Sequence, residues 1–325
     1  MKARPDQPLH RETPDAATGH LPVLCRATVA GWLSRADGAY VDCTFGRGGH
    51  SRALLAELSA DARLVGIDRD PQALAEGAQL HASDARFSML DGNFADCLPT
   101  LSPASWSGVL FDLGVSSPQL DQAERGFSFG KDGPLDMRMD PRSGVSAADW
   151  LAQASETDIA DALYHYGEER AARRIARVIV ARRAQAPLTR TVELAELVAS
   201  QLPRQGRTHP ATRTFQALRI VVNDELGALE RGLESAVELL EAGGRLAVIS
   251  FHSLEDRAVK RFLQKAAKAP ATNRRLPPGA NDFVPTLRLV GRYEADETEL
   301  TQNPRARSAR LREAERLADH SARLH

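Results

Sequence analysis

The sequence predicts an α/β protein: an open, doubly wound, mostly parallel sheet interrupted by an inserted all-helical domain. Three observations predict it. Short apolar runs alternate with helical patterns between residues 39 and 113, and that alternation builds parallel strands joined by crossover helices. An apolar run ending at Asp42 enters a glycine-rich turn, Gly46-Arg47-Gly48-Gly49, and the next apolar run ends at Asp68. A purely helical block then separates the fourth strand from a fifth.

The elements come in order. A first strand over 39–45 leads into a helix over 50–58, and a second strand spans 63–68. Pro71 opens a helix over 71–80, because its fixed φ suits the first helical position. Asp70 before it is a candidate cap. Further strands are expected at 86–90 and 108–113. Ligands of such sheets bind at the carboxyl ends of the strands. Asp42, Asp68, the 91–94 turn and Asp112 each end a strand and so share one edge.

Beyond Asp112 the pattern changes. Residues 114–145 are rich in Gly, Pro, Ser and Asp and read as a long ordered loop. Ser146 and Ser155 are N-cap candidates, and Asp158 three residues after Ser155 makes a loose capping box. Amphipathic helices are expected over 168–185 and 192–202. A long helix runs from about 211 towards 240, bent at Gly227, with Asn223 and Asp224 readable as ordinary helix surface. Gly243-Gly244 ends it, a fifth strand covers 245–251, and a helix over 254–267 starts with Ser253 as cap and Asp256 completing its box. A proline-rich loop (269–285) and a possible edge strand (286–290) come next. The domain reading is a disordered extension 1–19, a first part of the sheet domain 20–130, a helical insertion 131–210, and a second part 211–325 with a basic tail.

Composition narrows the function. Charged residues make up 26% of 325 and hydrophobic ones 42%, with a net charge of −1. This is a soluble globular composition, and any nucleic-acid site must come from local rather than bulk charge. Cys25, Cys43 and Cys97 lack paired spacing, which argues against zinc or a disulfide framework and fits a reducing, cytoplasmic setting. No apolar run approaches a membrane span, and residues 1–19 lack the apolar core of a secretory signal. Ten arginines fall between 168 and 213 against four acids, and Arg305, Arg307, Arg310 and Arg312 lie near the end. Arginines gathered on an insertion suit phosphate contacts; each alone reads better as solvated helix surface. Phe127, Phe129, Met137 and Met139 either stack a splayed base or form core under the loop.

A glycine turn with an acid about 20 residues later is the pattern of a nucleoside cofactor, the acid accepting from ribose hydroxyls. A dinucleotide fingerprint needs a third glycine where Ser51 stands. S-adenosylmethionine carries no phosphate and suits this turn better than NAD. At the end of the fourth strand, Asp112 begins a run with a short polar–proline motif, Ser116-Ser117-Pro118. An exocyclic aromatic amine is a poor nucleophile, so an acceptor on its N–H both polarises and places it. Asp112 is that acceptor or a cofactor contact; the sequence leaves both open. The His252–Asp256 turn reads as hydrolase parts, which the lack of a G-x-S-x-G elbow disfavours, as a plain helix start, or as a rim beside the target base.

The chain resembles the ribosomal RNA small-subunit methyltransferase H family (the MraW family). The matching segments are DCTFGRGGHS at 42–51, GIDRDP at 66–71, DLGVSSPQLD at 112–121, RGFSF at 125–129, DGPLDMRMD at 132–140, ATRTFQALRIVVNDEL at 211–226, ISFHSLEDR at 249–257 and NPRARSARLR at 303–312, with His20 to Leu24 ahead of them. The resemblance implies a class I S-adenosylmethionine-dependent fold; methyl transfer from a sulfonium donor needs no metal, and the cysteines and histidines suggest none. It implies methylation of the N(4) amine of a cytidine in the decoding centre, the P site, of 16S rRNA in the small ribosomal subunit. It places cofactor contacts at Gly48, Gly49, His50, Asp68, Phe94, Asp112 and Gln119; Phe94, beside the adenine, and Gln119 rest mainly on it. Other amine substrates, a non-catalytic assembly factor and a homodimer remain open.

Overall fold

The computed structural model describes residues 22–202, 209–268 and 283–318. The extension expected at 1–19 and most of the proline-rich loop lie outside them. The chain runs through α1 (Cys25–Trp32), β1 (Ala39–Asp42), α2 (Gly49–Leu55), β2 (Arg63–Asp68), α3 (Pro71–Ser83), β3 (Phe87–Asp91), α4 (Phe94–Cys97) and β4 (Trp106–Asp112). It continues through α5 (Ser117–Asp121), α6 (Ala147–Gln153), α7 (Glu156–His165), α8 (Ala172–Arg183), α9 (Thr191–Gln201) and α10 (Thr212–Asn223). It closes with α11 (Glu225–Leu239), β5 (Leu240–Ser250), α12 (Ser253–Ala267), β6 (Leu287–Glu294), α13 (Glu297–Gln302) and β7 (Arg310–Arg316). Two compact units result: one from residues up to 68, 72–114 and 230 onward, the other from 69–71 and 115–229.

In the first unit all seven strands form one sheet, ordered β3-β2-β1-β4-β5-β7-β6. The first five are parallel to their neighbours, while β7 runs antiparallel between β5 and β6. Tyr40, Val41, Leu64, Ile67, Val109, Leu110, Phe111, Val248 and Ile249 are buried, as expected of parallel strands covered on both faces, which read as continuous apolar runs rather than alternating ones. The connections reverse direction at β1, flanked by β2 and β4. A crevice therefore opens at the carboxyl ends of β1 and β4, where open α/β sheets bind ligands.

Several expectations change here. The basic tail is largely β7: Leu311, Glu313 and Ala314 are buried, and the arginines between them disguise the strand. Arg310 and Arg312 reach the Asp256 carboxylate at 3.0 and 2.7 Å. β5 begins at Leu240, earlier than expected. Its register with β4 jumps from Trp106–Leu240 to Gly108–Arg245, and Gly243 (φ 85°) lies within that irregularity. α12 is capped by His252 with Glu255, not by Ser253 with Asp256. The helix expected over 211–240 is broken, not bent: Asp224 adopts φ 48°, ψ 41°, a left-handed conformation that Asp tolerates better than most residues.

The second unit is helical and larger than the expected 131–210. Leu135 and Met137 of the long loop and Phe215, Ala217 and Leu218 of α10 share one buried core with Ile159, Leu163, Ile175, Ile179 and Leu194. The loop is an integral layer of this core, which low apolar density concealed. Ser146 and Ser155 cap α6 and α7 as expected, the second with its full box.

Candidate active site

In the first unit the site is built by the segment after β1. Past Asp42 the backbone stays wedged between its neighbours: Cys43 N–H donates to Leu110 O (2.8 Å) and Phe45 N–H to Ile67 O (3.0 Å). It then turns with Gly46 at φ 56° and Gly48 at φ 73°, values that favour glycine. A Cβ on Gly48 would stand 2.5 Å from the Phe45 ring and 2.6 Å from Arg52 Nη1. One on Gly49 would stand 2.5 Å from Pro22 Cγ. Gly48 is thus needed for the turn, and Gly49 for the close approach of the segment preceding α1.

The acids of the edge have different duties. Asp68 Oδ2 accepts from Gly46 N–H at 2.8 Å, tying the end of β2 to the glycine turn. Asp42 is buried; its carboxylate accepts from Ser51 Oγ (2.7 Å) and from Thr44 N–H (3.2 Å). Burial pushes its pKa up to about 6, against the opposing pull of the Ser51 hydrogen bond and of His50. Ser51, standing where a dinucleotide site needs glycine, serves as that carboxylate's donor. Sequence reading placed Asp42 on the edge but not in the site; the S of GGHS was the available signal.

Asp112 ends β4, and its N–H donates to Thr44 Oγ1 at 2.6 Å. Its Oδ2 lies 3.4 Å from Nδ1 of His50. Its Oδ1 is buried and has no hydrogen-bond partner among the described residues. A buried carboxylate oxygen left open is costly unless something else donates to it. His50 is itself buried, with Nε2 2.9 Å from Val23 O. Burial pulls its pKa down, yet the Asp112 hydrogen bond and the charges of Asp112 and Asp42 outweigh that and raise it. Gly48, Gly49, His50, Asp68 and Asp112 are thus connected through the glycine turn, while Phe94, half-buried at the start of α4, packs edge-on against Phe111 with centroids 5.2 Å apart.

Gln119 belongs to the second unit. It is buried, its Oε1 accepts from Ser116 N–H (2.9 Å), and its Nε2 donates to Asp70 Oδ2 (2.8 Å). Arg125 Nη1 meets the same Asp70 oxygen at 2.8 Å, and its Nη2 donates to Met139 O at 3.0 Å. Asn223 clasps the same stretch, donating to Met137 O (2.7 Å) and accepting from Met139 N–H (2.8 Å). Asp70, expected as a cap, is therefore the anchor of a buried cluster. Asn223, readable as helix surface, is buried. Phe127 and Met137 are buried, and Phe129 packs on Phe215 (4.8 Å), so these three side chains are packing groups of the second unit.

The arginines sort by partner. Arg183 donates to Leu151 O and to Ala154 O at the end of α6, Arg190 pairs with Asp132, and Arg213 donates to Glu168 O. Arg170, Arg173 and Arg174, at the α7–α8 turn, are exposed. Arg204 and Arg207 lie outside the described residues.

Residues 17–317 match the model of the MraW methylase family. A ribosomal RNA small subunit methyltransferase H from Xanthomonas oryzae pv. oryzae (strain PXO99A) is 59% identical over 300 residues, covering 92% of this chain and 89% of its own. The protein of that name from Stenotrophomonas maltophilia (strain K279a) is 56% identical, over 93% of this chain and 98% of its own. Among solved structures, an rRNA methylase from Streptococcus thermophilus aligns with 94% of this chain and 98% of its own, at 11% identity and a TM-score of 0.40, a likeness too remote to bear on function.

Proposed function

Because the chain belongs to the MraW methylase family, we propose that this methyltransferase acts on the N(4) amine of a cytidine in the decoding centre of 16S rRNA. In this reading it uses S-adenosylmethionine and works in the cytoplasm on the small ribosomal subunit. The single observation that carries the chemistry is Asp112 itself, half-buried at the carboxyl end of β4, with Oδ1 unpaired among the described residues.

The residues present fit a nucleoside cofactor with a cationic sulfur. Asp68 stands where ribose hydroxyls are read in such sheets. The left-handed turn at Gly46 and Gly48 brings backbone close to that acid, Phe94 offers an aromatic wall for the adenine, and the edge is lined by the acids Asp42, Asp68 and Asp112. S-adenosylmethionine, when bound, supplies an electrophilic methyl group on sulfonium. Asp112 Oδ1 accepts one N–H of the cytidine amine and holds its nitrogen for in-line attack. As positive charge develops on that nitrogen, an anionic oxygen beside it gains interaction energy that the ground state lacks, which is transition-state stabilisation. The amine proton then leaves to water.

The test is the nucleoside composition of 16S rRNA in cells lacking this gene, by nuclease digestion and mass spectrometry. N(4)-methylcytidine should disappear, return with the wild-type gene, and stay absent with Asp112→Asn. An unchanged profile in the deleted cells would sink the assignment.

A further inference from the structure

The ring of His50 is surrounded in a way that fixes its protonation. Nε2 faces a backbone carbonyl, Val23 O, at 2.9 Å. Nδ1 faces a carboxylate, Asp112 Oδ2, at 3.4 Å. The carbonyl, and the carboxylate when ionised, are acceptors with no hydrogen to give. A neutral imidazole carries one N–H and one lone pair, so either tautomer would aim a lone pair at an oxygen. Only the imidazolium, a donor at both nitrogens, satisfies both contacts in a buried place.

We propose that His50 is held as an imidazolium in the folded enzyme and is the positioning residue that orients Asp112, turning its second oxygen to the substrate amine. The Asp112 half rests on the proposed methyl transfer; the charge of His50 does not. The groups facing the ring are Asp112 from the end of β4, Asp42 from the end of β1, and the Val23 carbonyl ahead of α1. The arginines of its own turn are directed elsewhere, Arg47 and Arg52 towards Glu76 of α3. The ring therefore sees two negative charges and a carbonyl, which is why burial fails to neutralise it. An imidazolium on Oδ2 also engages that oxygen and leaves Oδ1 as the one without a partner among the described residues. Asp112 then acts as an acceptor that orients and stabilises, and the released proton goes to water.

The direct test is 15N NMR of the ring nitrogens of His50 in the full chain, titrated between pH 6 and 10. Both nitrogens should be protonated at pH 7, with a midpoint above the ordinary histidine value of about 6.5. Asp112→Asn should lower that midpoint by about 1–3 pH units, the usual effect of losing an adjacent opposite charge. The rate of rRNA methylation should fall on the alkaline side with the wild-type midpoint. A single protonated nitrogen at pH 7 overturns the proposal without any variant, as does a midpoint unmoved by Asp112→Asn. An imidazolium in a protein that methylates no rRNA supports the pairing and removes the functional reading instead.

Discussion

Replacing Asp42 by Asn should make the protein more stable and less active, and the gain should depend on pH. Asp42 is buried, and its pKa rises from 3.8 to about 6, mainly because burial penalises the charged form. An acid whose folded pKa is raised favours the folded state below its unfolded pKa, and that advantage is lost as pH climbs through the folded one. At pH 8 the ionised carboxylate therefore costs about 3 kcal/mol, from 1.36 kcal/mol per pH unit. At pH 5, where the folded form is mostly protonated, the cost is about half of that. Asn keeps an oxygen for Thr44 N–H, and Ser51 Oγ can accept from the new amide. The charge-assisted part of those bonds is already contained in that net shift, so Asp42→Asn should stabilise by about 3 kcal/mol at pH 8 and by about half of that at pH 5. Thermal unfolding of both proteins at the two pH values measures it. Destabilisation at pH 8, or a shift identical at both, would refute the reasoning. The same change removes one of the two charges that keep His50 protonated, so the alkaline limb of the rate should move to lower pH. In a His50→Gln background that second effect should vanish, since interacting sites fail to add.

The second unit yields two further outcomes. Arg125→Ala leaves Asp70 buried without its cation and frees Met139 O, so it should destabilise this unit by about 3–5 kcal/mol; hydrogen exchange across α6 to α8 reads the change, and a loss under about 1 kcal/mol contradicts it. Reversing the exposed Arg170, Arg173 and Arg174 to Glu should weaken rRNA binding and lower the slope of log affinity on log salt by about 2, as three lost phosphate contacts on single-stranded RNA require; an unchanged slope removes these arginines from the interface.

What the sequence disclosed depended on whether a local signal existed. Asp42, Asp68 and Asp112 each end an apolar run, so strand, boundary and edge could be read together. The caps at Ser146 and Ser155 were readable because capping is a four-residue pattern. β7 was not, because its outward side chains are arginines and glutamates and its partners on β5, from Ser250–Arg310 to Arg245–Glu315, lie far away in the chain. The break at Asp224 was misplaced to Gly227 because glycine is the commoner breaker, whereas here Asp takes the left-handed conformation. Asp70 and Arg125 are 55 residues apart, and nothing local marks a buried pair at that distance. Phe94 and Gln119 entered only through resemblance: a lone aromatic or amide carries no chemistry until its neighbours are known.

The pairing of Asp42, His50 and Asp112 explains why an enzyme keeps an acid that lowers its own stability. An isolated buried carboxylate at the edge would tend to take up a proton and lose its use as an acceptor. An isolated buried imidazole would lose one and stop donating. An imidazole set between two carboxylates, within hydrogen-bonding and Coulombic reach, is kept protonated by both. The innermost acid bears most of the burial penalty, and Ser51 and Thr44 recover only part of it. The outermost acid keeps one oxygen without a hydrogen-bond partner among the described residues. The stability given up at Asp42 is thus the counterpart of the charge kept at His50, which is the expected place for a fold to be less stable than it could be.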